Sequence, residues 1–220
     1  MKGKLIGCLC FVLFATVMHV KAGKRSTFNA GALAAGSDND IGYGLTLNYN
    51  LWLNNHVCVY FGGMFTHFKS DNGADWQGKS GGKWRWPDPL EVRHLNADAG
   101  ILVFTPSVLK TGLYGGAHVL ADVFPFNIVS LKKVEYSEQN FESTRDYGRF
   151  RFNYFSPGAF AEAGVYHDFR AFRLSLGFGY GCYDPFSTYR HAVIDGVRIG
   201  GKMNSQDHLF QQLTLRLTVF

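Results

Sequence analysis

Ile41, Tyr43, Leu45, Leu47, Tyr49, Leu51 and Leu53 fall on one parity of the chain; Gly42, Gly44, Thr46, Asn48, Asn50 and Trp52 fall on the other. A period of two belongs to a strand with one apolar face. The pattern resumes after Asn54-Asn55 with Val57, Val59, Phe61 and Phe65. It returns in Leu95, Ala97, Ala99, Ile101 and Val103, and again in Leu113, Ala117, Val119, Ala121 and Val123. Three further segments carry it: Ala159 to Val165, Phe172 to Tyr180 and Leu213 to Val219. With a weaker first segment at residues 27–36, the alternation predicts about eight strands, and no stretch after the first two dozen residues approaches the ~18 apolar residues of a spanning helix.

The connectors choose the architecture. They fall at 37–40, 54–55, 70–90, 105–111, 125–147, 167–170 and 184–207. The second, fourth and sixth are short, and the third, fifth and seventh are long; only the first departs from the rule. Tight turns at one end and long loops at the other are the layout of an all-β, antiparallel, up-and-down eight-stranded transmembrane β-barrel. Proline fits this scheme in loops, turns and strand ends. Pro157 lies inside the sixth segment and marks either a bulge or the true start of that strand. A soluble barrel would expose the other parity, which holds Gly42, Gly44, Tyr60, Tyr114, Phe160, Gly177 and Gly179. That set makes a poor water-facing surface and a reasonable filling for a narrow lumen.

The first residues change the charge and cysteine readings. Lys2 and Lys4 precede an apolar stretch from Leu5 to Val20, and Val20-Lys21-Ala22 has a small-residue cleavage pattern. This predicts a secretory signal peptide over 1–22 and a barrel domain over 23–220. Lys2, Lys4 and Lys21 account for three of the 22 basic residues, so the remaining 19 face 17 acidic ones and the net charge falls from +5 to +2. The basic balance therefore gives no ground for a nucleic-acid partner. Only Cys58 and Cys182 remain, on different strands and near opposite ends, too far apart for a disulfide.

With these features in place, residues 25–220 resemble the small eight-stranded outer-membrane barrels of the OmpA/OmpX type. The resemblance rests on the strand count, the connector pattern and the terminal Phe220. It implies the outer membrane of a Gram-negative cell envelope, contact with membrane lipid and lipopolysaccharide, and recognition of the last strand by the barrel-insertion machinery. The last strand departs from the usual form: Leu213, Leu215, Leu217 and Val219 lie on the parity opposite to Phe220.

On the inward parity lie Asn48, Asp98, His118, Asp122, Glu162, Arg173 and Arg216. Buried charges must find partners, so these residues predict a polar lumen network, with Glu162 reaching Arg173 across adjacent strands. Asp98, His118 and Glu162 fall at similar heights on neighbouring strands. His118 and Asp122 share a face but sit about 13 Å apart along it, too far to bond.

Catalytic and metal motifs are missing from the sequence. There is no His-x-Ser pair of the lipid A deacylase kind, no His-Glu-x-x-His and no Cys-x-x-Cys, and the glycine-rich stretches precede no helix. No catalytic residue, metal ligand or cofactor is assigned. The longest loop carries Trp76, Trp84 and Trp86 with Lys79, Lys83 and Arg85. Such a set on an outer loop suits a glycan or an anionic lipid headgroup, and equally suits a loop packed on its own indoles. The function expected is envelope structure, adhesion or surface binding through the long loops, around a plugged polar lumen. Two other classes stay open: a lipid-modifying barrel enzyme, and a carrier of a small apolar ligand.

Overall fold

The computed structural model describes residues 26–37, 40–70, 75–85, 90–124, 128–136, 142–151, 156–198 and 209–220. The expected signal peptide lies outside them. Eight strands close one barrel: β1 (Ser26–Gly36), β2 (Asp40–Trp52), β3 (Val57–Ser70), β6 (Leu90–Phe104), β7 (Thr111–Phe124), β10 (Pro157–Asp168), β11 (Phe172–Cys182) and β14 (Leu209–Val219). Each pairs antiparallel with its chain neighbours, and β1 closes the cylinder on β14 with Ala30 opposite Leu217 and Ala34 opposite Leu213.

Side chains alternate out and in around this wall. Ile41, Leu45, Leu47, Val119, Phe178 and Leu213 point outward and are exposed, whereas Asn48, Tyr60, Asp98, His118 and Thr214 point inward and are buried. Pro157 opens β10, a position where its missing N–H costs no ladder bond. The β6–β7 pairing slips between Leu95 and Asn96, which face Phe124 and Asp122 and leave Val123 as the extra residue of a bulge.

Two of the short turns show why they are tight. Asn54 Oδ1 accepts the backbone N–H of His56 at 2.7 Å and of Val57 at 2.8 Å. At the β6–β7 turn, Leu109 and Lys110 both have positive φ, 51° and 69°. Two such residues between paired strands match a hairpin turn that normally selects Asn or Gly.

The long connectors hold structure of their own. β4 (Asp75–Gln77) and β5 (Lys83–Arg85) join β8 (Ile128–Tyr136) and β9 (Glu142–Arg151) in a second sheet of order β4-β5-β8-β9. The last long connector forms a short helix α1 (Ser187–His191) and a hairpin of β12 (Val193–Ile194) and β13 (Val197–Arg198). Asp195 and Gly196 turn that hairpin with φ of 48° and 71°. The described parts of the long connectors therefore carry regular structure.

Candidate functional site

The lumen is layered. At the short-turn end, Trp52, Cys58, Tyr60, Leu102, Phe104, Tyr114 and Tyr166 form one buried cluster. At the long-loop end, Leu33, Met64, Phe68, Leu90, Phe160 and Phe210 form a second, which continues into the connectors through Trp76, Trp84, Phe186 and Tyr189. Polar side chains fill the space between. The expected polar lumen is thus polar across its middle and mixed toward the loops. There the inward parity carries Leu33, Met64, Phe68 and Phe160 beside His94, Asn96 and Asp122.

In the middle layer, Arg216 grips Glu162 through both guanidinium nitrogens, Nη2 to Oε2 at 2.6 Å and Nη1 to Oε1. Tyr114 donates to the same carboxylate at 2.5 Å. The pair joins β10 to β14 across the intervening strand β11 because Gly177 there has no side chain; a Cβ at that position would collide with Tyr114 Oη and Glu162 Oε1. His118 Nδ1 lies 2.9 Å from Asp98 Oδ1, with both side chains buried. His118 Nε2 has no protein partner, and both amide atoms of Asn48 lack one.

Arg173 is not the partner of Glu162, contrary to the expectation. The β10–β11 register sets Glu162 opposite Gly179 and Arg173 opposite Asp168. Six residues of strand, about 20 Å, separate the two acids. Arg173 instead holds Asp168 through Nε at 2.6 Å and Nη2 at 2.9 Å. Its guanidinium also lies over the rings of Tyr166 at 4.1 Å, Phe104 at 4.4 Å and Phe220 at 5.5 Å. Phe220 therefore packs against the short-turn end, next to Trp52 at 6.4 Å between ring centroids.

Asp122 sits at the junction of barrel and connectors. Its Oδ1 is 3.2 Å from His94 Nδ1 and accepts from Tyr183 Oη at 3.3 Å. His94 Nε2 donates to the carbonyl of Pro185 at 2.8 Å. The residue therefore bonds to His94 and Tyr183, not to His118. His94 did not stand out in the sequence. The signal available was parity: His94 shares the inward face of β6 with Asn96 and Asp98.

The outer-loop set divides. Trp76 and Trp84 are 3% and 6% exposed, packed with Tyr189 and Ile194 above the barrel mouth. Their rings are used in packing and are not open platforms for sugar. Lys79, Lys83 and Arg85 stay at or near the surface, while Trp86 lies outside the described residues. Asp195 ties the α1 segment to this loop: it accepts from the Ser80 hydroxyl and from the Ser80 N–H at 3.2 Å, and its own carbonyl accepts the Lys79 N–H at 2.9 Å. The Ser80 hydroxyl bond holds the Asp195 carboxyl below the usual carboxylate range.

The arrangement braces the barrel from within. Glu162 spends its oxygens on Arg216 and Tyr114, and His118 has no hydroxyl or thiol bonded to it among the described residues. A nucleophile would need its base within hydrogen-bond reach.

Solved structures with the same architecture exist. The chain is similar to small outer-membrane barrels. Against Neisserial surface protein A the TM-score is 0.45 at 12% identity, covering 90% of this chain and 99% of that one. Against Ail of Yersinia pestis, solved with the heparin analogue sucrose octasulfate, it is 0.37 at 12% identity, covering 90% and 97%. Against the N-terminal barrel domain of Pseudomonas aeruginosa OprF it is 0.38 at 9% identity, covering 89% and 99%. At these scores the likeness carries no functional weight. No family model and no curated protein matches the chain.

Proposed function

We propose that this chain is an outer-membrane barrel serving envelope structure and surface binding, with a lumen plugged by its own side chains. The outward face carries the reading. Ile41, Leu45 and Leu47 on β2 are 73%, 64% and 65% exposed, and Leu113, Val119, Phe178, Leu213 and Leu215 continue the apolar surface around the cylinder. Soluble proteins rarely expose apolar patches beyond a few hundred Å². A lipid bilayer removes that cost, and closure into a barrel satisfies every strand edge within it.

The lumen reading follows from what fills it. Eight strands leave an interior just wide enough for side chains. Arg216–Glu162–Tyr114 crosses it in the middle, the Arg173 guanidinium lies over Tyr166 and Phe104 at one end, and Phe68, Phe160 and Phe210 occupy the other. A small apolar ligand would have to displace those rings, so the carrier reading gains nothing from that end.

Surface binding would fall to the connector sheet. Its edge strands β4 and β9 present backbone groups to which an extended segment of a partner protein can add. Lys79, Lys83 and Arg85 add positive charge suited to an anionic glycan. The last strand, ending at Phe220, would meet the insertion machinery. Fractionation of expressing cells tests the location: the protein should partition with the outer membrane and migrate differently on gels when boiled. Recovery as a soluble periplasmic protein with a single mobility would overturn it.

A further inference from the structure

The turns at the short-turn end of the barrel are laced to one another. The Phe104 N–H donates to the His56 carbonyl at 2.7 Å, which joins the β2–β3 turn to the end of β6. The Asp168 N–H donates to the Lys110 carbonyl at 2.7 Å, and the Tyr166 hydroxyl to the Thr105 carbonyl at 2.6 Å. These bonds join the β6–β7 turn to the β10–β11 turn, and the Thr111 hydroxyl lies 2.8 Å from His167 Nδ1 across the same seam. The Phe220 N–H adds the end of β14 through the Ala171 carbonyl at 3.2 Å. The turns thus form one continuous surface.

That surface is apolar and cationic. Val108 and Leu109, at the tip of the β6–β7 turn, are 75% and 92% exposed, and Phe169 and Leu53 on the neighbouring turns are exposed as well. Lys110 and Arg170 flank them, both exposed and without an ion-pair partner among the described residues. Asp168 is the one acid of these three turns, and Arg173 already holds both of its oxygens. The surplus charge is therefore positive. The tip stands clear of the hydrocarbon belt: exposed Thr105, Ser107 and Thr111 separate it from Val103 and Leu113, the last outward apolar residues of β6 and β7.

The fold gains little from the two side chains at the tip. Leu109 and Lys110 have φ of 51° and 69°, in a turn that Asn-Gly makes with less strain. Leu109 buries almost none of its surface in return. Strained backbone kept for side chains that pack on nothing in the chain points to a use outside it.

We propose that the short-turn face is a docking surface for an acidic segment of a periplasmic protein, resting on the membrane reading above, which turns this end toward the periplasm. Val108, Leu109 and Phe169 take the apolar side chains of the segment, and Lys110 and Arg170 take its carboxylates. An apolar centre with charge at its rim is how protein interfaces are built, and the two unpaired cations set the sign of the partner. The contact ties the barrel to the layer beneath the membrane, at the end opposite the connectors. The periplasmic leaflet is the competing occupant, and the polar band of Thr105, Ser107 and Thr111 disfavours it.

In the native host, benzoylphenylalanine replaces Val108 in the full chain. Protein synthesis is stopped before illumination, and only adducts of heat-modifiable barrel are scored, which leaves out contacts made with the insertion machinery during assembly. The crosslinked segment is sequenced by mass spectrometry. The expected adduct is a periplasmic protein joined through a segment that carries both Asp or Glu and apolar side chains. Its yield should fall roughly tenfold in K110E/R170E, and by a similar factor in L109N/K110G, which relieves the strained turn and so keeps the fold. R198E, at the opposite end of the molecule, should leave it unchanged. Adducts to phospholipid alone, no adduct, a partner joined through a basic segment, or a yield indifferent to K110E/R170E would overturn the docking surface. A wild-type protein without heat-modifiable mobility would instead overturn the membrane reading, and the docking surface with it.

Discussion

The barrel wall and the structure above its mouth use the same kinds of residue in opposite ways. In the wall, Leu45, Leu215 and Phe178 are exposed while Asn48, Glu162 and Arg216 are buried. Above the mouth the order is that of a water-soluble protein: Trp76, Trp84, Phe186 and Tyr189 are buried and Lys79 and Ser80 face outward. The wall is stabilised by its closed ladder and by ion pairs across the lumen. The cap is stabilised by aromatic packing between connectors distant in sequence, with Asp195 and the His94–Asp122–Tyr183 contacts as ties. The contrast places the change of solvent near Lys69, Glu91 and Arg93, where the outward face turns from apolar to charged.

The largest effect should come from breaking the wall's central brace. Glu162→Ala leaves Arg216 buried without its carboxylate, which costs roughly 3–5 kcal/mol. Urea unfolding of the barrel in lipid vesicles should show that loss, with the cap's exchange protection falling only as the barrel unfolds. A change under about 1 kcal/mol would mean the brace is not structural.

Next is a break confined to the cap. Trp84→Ala removes a buried indole, a change worth roughly 3–5 kcal/mol in a packed core. Because the cap stands outside the ladder, the loss should appear as faster hydrogen exchange and proteolysis over 183–194 while heat-modifiable mobility persists. Global loss of the barrel would show that wall and cap are one cooperative unit.

A smaller effect, of opposite sign, tests the wall's turns. Leu109 and Lys110 hold left-handed backbone that costs L-residues about 1–2 kcal/mol each. Leu109→Asn with Lys110→Gly should therefore raise the unfolding midpoint, and an unchanged or lower midpoint would contradict the turn assignment. The smallest effect is Asp195→Asn. The carboxyl is held below its usual range, so its contribution is present above the unfolded value and is lost as pH falls through the lower folded one. Exchange over β12 and β13 in the wild type, taken relative to the intrinsic rate at each pH, should quicken on acidification below the ordinary carboxylate range. In Asp195→Asn it should already be faster at neutral pH and show less acid dependence.

Reading the chain alone recovers the wall because alternation is local: one parity of β2 or β14 declares the face without reference to any other strand. The pairing of Glu162 was less accessible. Its partner follows from the tight turn at 169–171, which aligns Arg173 with Asp168, and from Gly177, which opens the path to Arg216. Both signals are present but depend on register. The bulge at Asn96 and the burial of Trp76 and Trp84 depend on contacts between connectors far apart in sequence, and no local pattern of Trp among Lys and Arg distinguishes a packed loop from an open one. The apolar share of the lumen's loop end was legible in Leu33, Met64 and Phe68, which lie on the same inward parity as the polar residues.

The most direct test of the membrane barrel is the environment of alternate residues on one strand. Spin labels placed singly at 213, 214, 215, 216 and 217 in vesicle-embedded protein would be scored for collision with oxygen and with a water-soluble nickel complex. The account predicts high oxygen and low nickel accessibility at 213, 215 and 217, with low values for both at 214 and 216. High nickel accessibility at 213, 215 and 217 would place the apolar face in water and contradict the membrane barrel.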